Sequence, residues 1–223
     1  MSPVRVTWFR TLGRLRSLYS TAVLVAVFLV AVAVRFAFEL EAAEGGLMSL
    51  ASVWTMSVAP FLPALAALLA MDVWSDERQS GRIDLLLTTP VLERDLTYGK
   101  FLGVFTGLVV AVLLSLVVTV AAVRLFAPAA LAGGAFAGFG LALFALSLQG
   151  VLWCAVSVAM SAIFTPAAVA ASVALLLLVG LPRGGWLAAM AWSPQGRTVF
   201  GEMPLDAQAL DMASGVLSSG VLL

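Results

Sequence analysis

The stretch from Asp76 to Lys100 reads DERQSGRIDLLLTTPVLERDLTYGK and concentrates charge in an otherwise apolar chain. The 223 residues are 62% hydrophobic and only 11% charged, whereas a soluble domain carries about 25% charged residues. The composition therefore places the protein in the membrane class. A loop that only reverses the chain needs no such combination of charges and leucines, so we interpret this stretch as a docking element on which a partner acts.

The composition argues against several classes of function. The formal net charge is zero and no long basic run occurs, so nucleic acid is not an expected partner. The chain has no histidine, which is the commonest general base and metal ligand. Its single cysteine, Cys154, lies in an apolar run, where a thiolate nucleophile is not expected. We therefore predict no catalytic residues, no metal site and no cofactor.

The apolar segments predict an all-α, polytopic membrane helix bundle that forms a single domain over residues 1–223. A membrane span needs about 20 mostly apolar residues. Five segments have this character: 21–38, 50–71, 101–123, 138–164 and 167–181. Residues 182–215 are predicted to form an outer loop, and 216–223 to begin a sixth span that is cut short. A natural short form is the alternative for this end.

The placement of basic residues predicts a cytoplasmic N-terminus in the inner membrane. The first twenty residues contain four arginines and no acid, whereas loop 39–49 contains three glutamates and no basic residue. Alternation of the spans then places residues 76–99 in the cytoplasm. A cleavable signal peptide is the competing interpretation of the N-terminus, but Arg35 directly follows the apolar core.

Apolar residues in the N-terminal segment 1–20 recur three or four positions apart, with arginines between them: Val4, Trp8, Leu12, Leu15 and Leu18. This spacing predicts an interfacial helix whose arginines face anionic lipid. A charged flank that only sets orientation is the alternative. In the second span, Pro60 and Pro63 predict a kink, which is either a hinge or a static bend.

The third span places small residues at every fourth position: Gly99, Gly103, Gly107, Ala111, Ser115 and Thr119. Small residues in one register form a shallow groove that a second helix can approach closely. We therefore predict tight helix packing along this face, with a partner in the same chain or in another. Polar residues are scarce in the spans, and Gln149 is expected to make an interhelical hydrogen bond rather than a substrate contact.

Two short helices are predicted within the charged stretch. The first covers residues 76–89, with Asp76 and Glu77 near its start, where acids complement the helix dipole. Pro90 ends it, and the second helix runs from about residue 93 to 100 and enters the third span. The pair would lie across the cytoplasmic surface with leucines free to fill a pocket on a partner. A solvated loop with incidental amphipathicity is the alternative.

At these residues the sequence resembles the ABC-2 type permease family, and most closely its gliding-motility-associated and copper-maturation groups. After the second membrane helix, members show a glutamate-rich start, G-T-x-E-x-L-L, a proline, and G-K at the start of the third helix. The pattern stands here as Glu77, Gly81-Arg82-Ile83-Asp84-Leu85-Leu86-Leu87, Pro90 and Gly99-Lys100. Arg82 replaces the usual threonine, and Asp84 replaces the usual glutamate but keeps its charge.

The resemblance implies a six-helix permease of the type V exporter-like fold without an ATPase site of its own. In this family the loop is a coupling helix seated in a cleft of a separate ABC ATP-binding subunit, and a second permease chain, identical or different, completes the transporter. The residues implied to couple to the ATPase are Asp76, Glu77, Arg78, Gly81, Asp84, Leu85, Leu86 and Pro90. The sequence has no GxxxxGK[ST] phosphate-binding loop. ATP would therefore have to bind to a separate ATPase subunit.

The predicted function is therefore the permease subunit of an ATP-driven exporter that moves a substrate across the cytoplasmic membrane. One alternative is a non-transporting membrane anchor for an ATPase. Another is an intramembrane enzyme, such as a lipid-modifying transferase or a serine protease. The enzyme alternative is disfavoured because the spans lack histidine and clear mid-membrane acids.

Overall fold

The computed structural model describes residues 3–17, 19–43, 49–81, 92–126 and 135–180. These ranges are helical almost throughout and contain no strand. Their α-helices, numbered in chain order, are α1 (Pro3–Ser17), α2 (Tyr19–Ala43), α3 (Leu50–Val58), α4 (Leu62–Ala70), α5 (Asp72–Gln79), α6 (Glu93–Phe126), α7 (Ala135–Ile163) and α8 (Ala167–Leu175). The predicted all-α membrane bundle is confirmed as the fold class.

Four helical stretches of the described chain are long and apolar enough to cross a membrane: Tyr19–Glu41, Leu50–Gln79, Glu93–Leu125 and Gly138–Ile163. The fifth predicted span corresponds to a shorter apolar helix, Ala167–Gly180, whose last five residues, Leu176–Gly180, are π-helical. The predicted outer loop and the start of the sixth span lie outside the described residues.

The first span is a longer helix than the sequence predicts. Helix α2 continues to Ala43, so Glu39 lies within the helix and not in the following loop. Arg35 Nη2 lies 3.2 Å from Glu39 Oε1, one turn along the same helix. The guanidinium therefore finds a carboxylate within α2 itself, which supports helix beyond the predicted boundary at Phe38.

The second span is interrupted at its prolines. A 3₁₀ turn, Ala59–Phe61, separates α3 from α4, because Pro60 has no N–H to donate to the α-helical pattern. Just before this turn, the buried hydroxyls of Thr55 and Ser57 donate to carbonyls four residues earlier, at 2.8 and 2.7 Å. Those polar groups are thereby satisfied within α3. The interruption lies at the two prolines, where the sequence predicts a kink.

The described residues divide into two compact units, each built from parts of several helices. The first unit takes its residues from 1–26, 62–110 and 150–179, and the second from 27–61, 111–149 and 180. In the second unit, the fully buried Trp54 meets Phe139 edge-on, with ring centroids 5.9 Å apart. In the first unit, α4 is buried along most of its length and packs against α5 and α8.

Helix α6 is longer than a membrane crossing requires. It has 34 residues, which corresponds to about 51 Å at about 1.5 Å per residue. The hydrocarbon core of a bilayer is about 30 Å thick, so α6 extends beyond that core. Its first turn carries Glu93, Arg94 and Asp95. The predicted short helix at residues 93–100 is thus continuous with the third span.

Candidate functional site

The start of the charged stretch extends the second span. Asp76, Glu77 and Arg78 lie in the last two turns of α5, which follows α4 after a single-residue interruption at Met71. The prediction that Asp76 and Glu77 begin a new helix is therefore wrong. The segment DVWSDERQ contains neither proline nor glycine, so nothing in it stops a helix that arrives from the membrane.

Gly81 ends helix α5. Its φ is +67°, a left-handed conformation that glycine adopts without steric cost. Its N–H donates to the Arg78 carbonyl at 3.2 Å, as expected for a glycine that follows a helix C-terminus. The predicted coupling residues Asp84, Leu85, Leu86 and Pro90 come after this turn and lie outside the described residues.

A buried ion pair joins the two helices that flank residues 82–91. Lys100 on α6 donates from Nζ to the Glu77 carboxylate on α5. The two side chains are only 3% and 10% exposed. The same Nζ donates to the Val73 carbonyl at 3.0 Å and lies 3.5 Å from the centroid of a Trp74 ring. These contacts compensate for removing the ammonium from water.

The residue type at position 100 suits this arrangement. Lys100 is the only lysine of the chain, since the other eleven basic residues are arginines. An ammonium is a compact charge with three donors, whereas a guanidinium is a planar fork. The Glu77 carboxylate, the Val73 carbonyl and the face of the Trp74 ring surround one point here. An ammonium at that point can contact all three groups, whereas a planar guanidinium cannot. The sequence patterns place Lys100 at the end of the charged stretch and in the G-K pair but give it no partner, although a lone lysine among arginines was an available signal.

Helix α5 is also bonded to the end of α7 through Ser161. The Ser161 hydroxyl donates to the Met71 carbonyl at 3.0 Å and accepts the Trp74 N–H at 3.2 Å. The Ser161 side chain therefore lies at the interruption between α4 and α5, where it forms hydrogen bonds with backbone groups of Met71 and Trp74. Ser161 is fully buried. No sequence pattern points to Ser161, because one serine near the end of an apolar span is a weak signal.

Two exposed side chains of α5 reach the turn between α7 and α8. Arg78 Nη1 donates to the Ile163 carbonyl at 3.3 Å, and Gln79 Nε2 donates to the Thr165 carbonyl at 3.1 Å. The last carbonyls of a helix lack partners within it, and a cation is favourable at that end of the dipole. Arg78 therefore caps α7, and α5 is bonded to both sides of this turn.

Gly99 and Gly103 of the small-residue face lie against α1. A Cβ at Gly99 would be 2.6 Å from the Thr7 Cβ, and a Cβ at Gly103 would be 2.6 Å from the Thr11 Cβ. Real Cβ atoms do not approach so closely, so these positions admit only glycine with α1 where it is. Trp8 Nε1 completes the contact by donating to Thr106 Oγ1 at 3.1 Å. Helix α1 thus occupies this end of the groove.

The two threonines present carbon to the glycines because their hydroxyls are bonded elsewhere. Thr7 Oγ1 donates to the Pro3 carbonyl at 3.0 Å, and Thr11 Oγ1 donates to the Thr7 carbonyl at 2.9 Å. Each hydroxyl is therefore satisfied within α1. Further along α6, Gly107 is half-buried, while Ala111 and Ser115 are buried in the second unit.

The contacts of α1 differ from a simple interfacial helix. Trp8, from the predicted apolar repeat, packs on α6, while Arg5, Phe9 and Arg10 are exposed. The side chains of Leu15 and Leu18 lie outside the described part of the chain. A position of α1 in the headgroup region stays a prediction, with its exposed face now defined.

The contacts described above bring several helix ends together within the first unit. The start of α6 contacts α1 and α5, and α5 contacts the end of α7, all within the first unit. The N-terminal helix, both flanks of the charged stretch and the α7–α8 turn therefore belong to one group of contacts. Alternation of the predicted spans would place the same helix ends on one side of the membrane, and that sidedness stays a prediction.

A protein-family model described as "ABC-2 family transporter protein" matches residues 9–194, most of the chain. The chain belongs to the ABC-2 transporter family. The resemblance predicted from the charged stretch is thereby confirmed at the level of the family. A comparison with curated proteins finds no match to this ABC-2 chain.

Family membership gives the general function. An ABC-2 chain of this kind is a multi-pass membrane permease of an ABC transporter, a class of subunit that works with an ABC ATP-binding partner and is typically not itself catalytic. The described geometry fits a mechanical role, because its buried polar contacts join helices to one another.

Proposed function

We propose that this chain is the permease subunit of an exporter in the cytoplasmic membrane, driven by separate ABC ATPase subunits and completed by a second permease chain. The observation that carries the proposal is the buried Lys100–Glu77 pair at the base of the predicted coupling segment. A segment that receives force from a partner can move membrane helices only if its two flanks do not slip past each other. The pair provides that link between α5 and α6.

The proposed orientation places the N-terminus and the charged stretch in the cytoplasm. It is supported by the arginines of α1, by Arg78 and Arg94, and by the contacts that group these helix ends. In a Cys154→Ala background, Arg5→Cys should resist a membrane-impermeant thiol reagent added outside intact cells, whereas Arg124→Cys should react. The reverse labelling pattern would overturn the orientation.

The partner is tested by co-purification. The wild-type chain should carry an ABC ATP-binding subunit through purification in mild detergent. Charge reversal in the coupling segment, Arg82→Glu with Asp84→Lys, should remove that subunit because the family resemblance implies that the loop that carries both charges sits in its cleft. The matched control is Arg124→Glu, at the far end of α6, where the side chain is exposed and the subunit should be retained.

The outcomes separate the proposals. If the wild-type chain purifies with no ATPase subunit from cells that produce both, the permease proposal fails. If the charge-reversed variant retains the ATPase, only the coupling role proposed for residues 82–84 is overturned. In vesicles, ATP-dependent opening of the permease distinguishes a transporter from a passive anchor, since an anchor would bind the ATPase without changing its own conformation.

A further inference from the structure

We infer that Ser161 is a positioning residue of the transport cycle, whose hydroxyl makes α5 and the end of α7 move as one body. A displacement applied to the coupling segment would then reach the α7–α8 turn as well as α6. This inference rests on the proposed function. It adds a second route for force, because the sequence pointed only to the third span.

The geometry at Ser161 joins α7 to the one interruption between α4 and α5. Met71 separates these helices, and an interruption in a helical hydrogen-bond pattern is a site where two segments can bend relative to each other. The Ser161 hydroxyl donates to the Met71 carbonyl and accepts the Trp74 N–H. It therefore bonds to backbone at the interruption and one turn into α5.

Burial makes this link specific. Ser161 and Ser75 are fully buried, and Ser75 Oγ also donates to the Met71 carbonyl, at 2.6 Å. Water cannot replace a fully buried hydroxyl without rearrangement, so loss of the Ser161 hydroxyl removes the acceptor of the Trp74 N–H and leaves the Met71 carbonyl bonded only within its own segment, to Ser75. The link is thus held by protein groups.

Arg78 and Gln79 extend the same link to the α7–α8 turn. Their bonds to the carbonyls of Ile163 and Thr165 fall on both sides of Phe164. Only residues 164–166 separate α7 from α8. Such a short connection bonded at both ends follows α5 closely, and packed elements of this kind transmit small shifts as rigid movements.

The experiment compares hydrogen exchange in the complex of this chain with its ATPase, with ADP and with ADP–vanadate. In the wild type, amide exchange at residues 164–170 should differ between the two nucleotide states. In Ser161→Ala that difference should fall at 164–170 and persist in α5, because α5 still moves while the turn, now held to it only by Arg78 and Gln79, follows it less. The matched control is Ser157→Ala, one turn earlier on α7, whose buried hydroxyl has no hydrogen-bond partner among the described residues.

A merely structural role would raise exchange equally in both nucleotide states and leave their difference unchanged, which would overturn the inference. An unchanged profile, or the same loss in Ser157→Ala, would also overturn it. If Ser161→Ala does not accumulate, Gln79→Ala tests the link from the exposed side and should reduce the nucleotide-dependent difference at 164–170. If no ATPase accompanies the wild-type chain, the proposed function fails, and this inference fails with it.

Discussion

Lys100 and Glu77 lie 23 residues apart in the sequence and meet in a buried ion pair that closes the base of the charged stretch. The ammonium also contacts Trp74 and the Val73 carbonyl, so the pair is part of a small polar cluster between α5 and α6. In the function proposed above, such a cluster would hold α5 and α6 together. Its chemistry can be tested without knowledge of the transported substrate.

Removing Lys100 alone should be strongly destabilising. Lys100→Met leaves the Glu77 carboxylate buried without its cation, which typically costs about 3–5 kcal/mol. The double variant Glu77→Gln with Lys100→Met should recover much of this loss, because no uncompensated charge remains. The measurement is thermal unfolding of the purified chain in detergent. Equal destabilisation of the single and double variants would contradict the pairing.

The matched control for the pair is Arg94→Met. Arg94 Nε lies 3.9 Å from Asp95 Oδ1, and its side chain is 74% exposed. Surface pairs of this kind contribute about 0–1 kcal/mol, so the unfolding temperature of Arg94→Met should stay near that of the wild type.

The variant Lys100→Arg keeps the charge, yet it should also destabilise the protein. A planar guanidinium does not fit at the single point over the Trp74 ring that the ammonium occupies.

Alanine at Gly103 should displace α1 from α6. The added Cβ would meet the Cβ and Cγ2 atoms of Thr11, both at 2.6 Å, and overpacking of this kind costs about 1–3 kcal/mol. Amide exchange in α1 should therefore rise, since the helix can no longer pack closely against α6. Exchange measured by mass spectrometry over residues 5–11 would report it.

Two other glycines provide controls for this variant. At Gly13 on α1 and Gly140 on α7, the methyl group of an alanine would have no neighbouring atom within 4 Å, so the substitution meets open space. Helix-interior glycine is less favourable than alanine by about 1 kcal/mol, and both control variants should be neutral or more stable. A Gly103→Ala profile like that of Gly13→Ala would show that α1 does not rest on Gly103.

The hydrogen bond from Trp8 Nε1 to Thr106 Oγ1 can be measured by a double-mutant cycle. Trp8→Phe removes the donor and Thr106→Val removes the acceptor, and each keeps most of the side-chain volume. A coupling free energy of about 0.5–1.5 kcal/mol is expected for one such bond. Unfolding in denaturant gives the four stabilities required. A coupling of zero would mean that α1 is held by the threonine–glycine contacts alone.

Substitution at Gly81 should weaken the end of α5. A residue with a Cβ pays about 1–2 kcal/mol for the left-handed conformation, so Gly81→Ala should fray the last turn, which carries Glu77 and Arg78. Gly81→Asn is the matched variant, because asparagine visits this region more readily. Exchange at the amides of residues 77–80 should rise more in the alanine variant than in the asparagine variant. Equal exchange in both would contradict a conformational role for Gly81.

The parts of the fold that the sequence predicts are those that the bilayer imposes. Long apolar segments reveal the spans, and the prolines of the second span reveal its interruption. The ends of α2 and α5 depend instead on local partners: Glu39 supports α2 beyond the predicted end, and Gly81 stops α5. Hydropathy does not report such features.

The candidate site was predictable in its location and only partly in its contacts. The spacing of Gly99 and Gly103 predicts that a helix approaches closely, but small residues do not specify which helix. The pairing of Glu77 with Lys100 and the position of Ser161 depend on how helices distant in sequence come together. Those contacts follow from tertiary packing, which single-sequence patterns do not encode.

The seat of α1 on α6 has a consequence for how the protein is made. Trp8 leaves the ribosome 98 residues ahead of Thr106, an interval of about 5–20 s at about 5–20 residues per second. During most of that time, while two membrane segments are synthesised, the Gly99 and Gly103 surface of α6 has not yet been made. Helix α1 is therefore made well before the surface on which it packs, and during biogenesis it must lie elsewhere until that part of α6 has been synthesised.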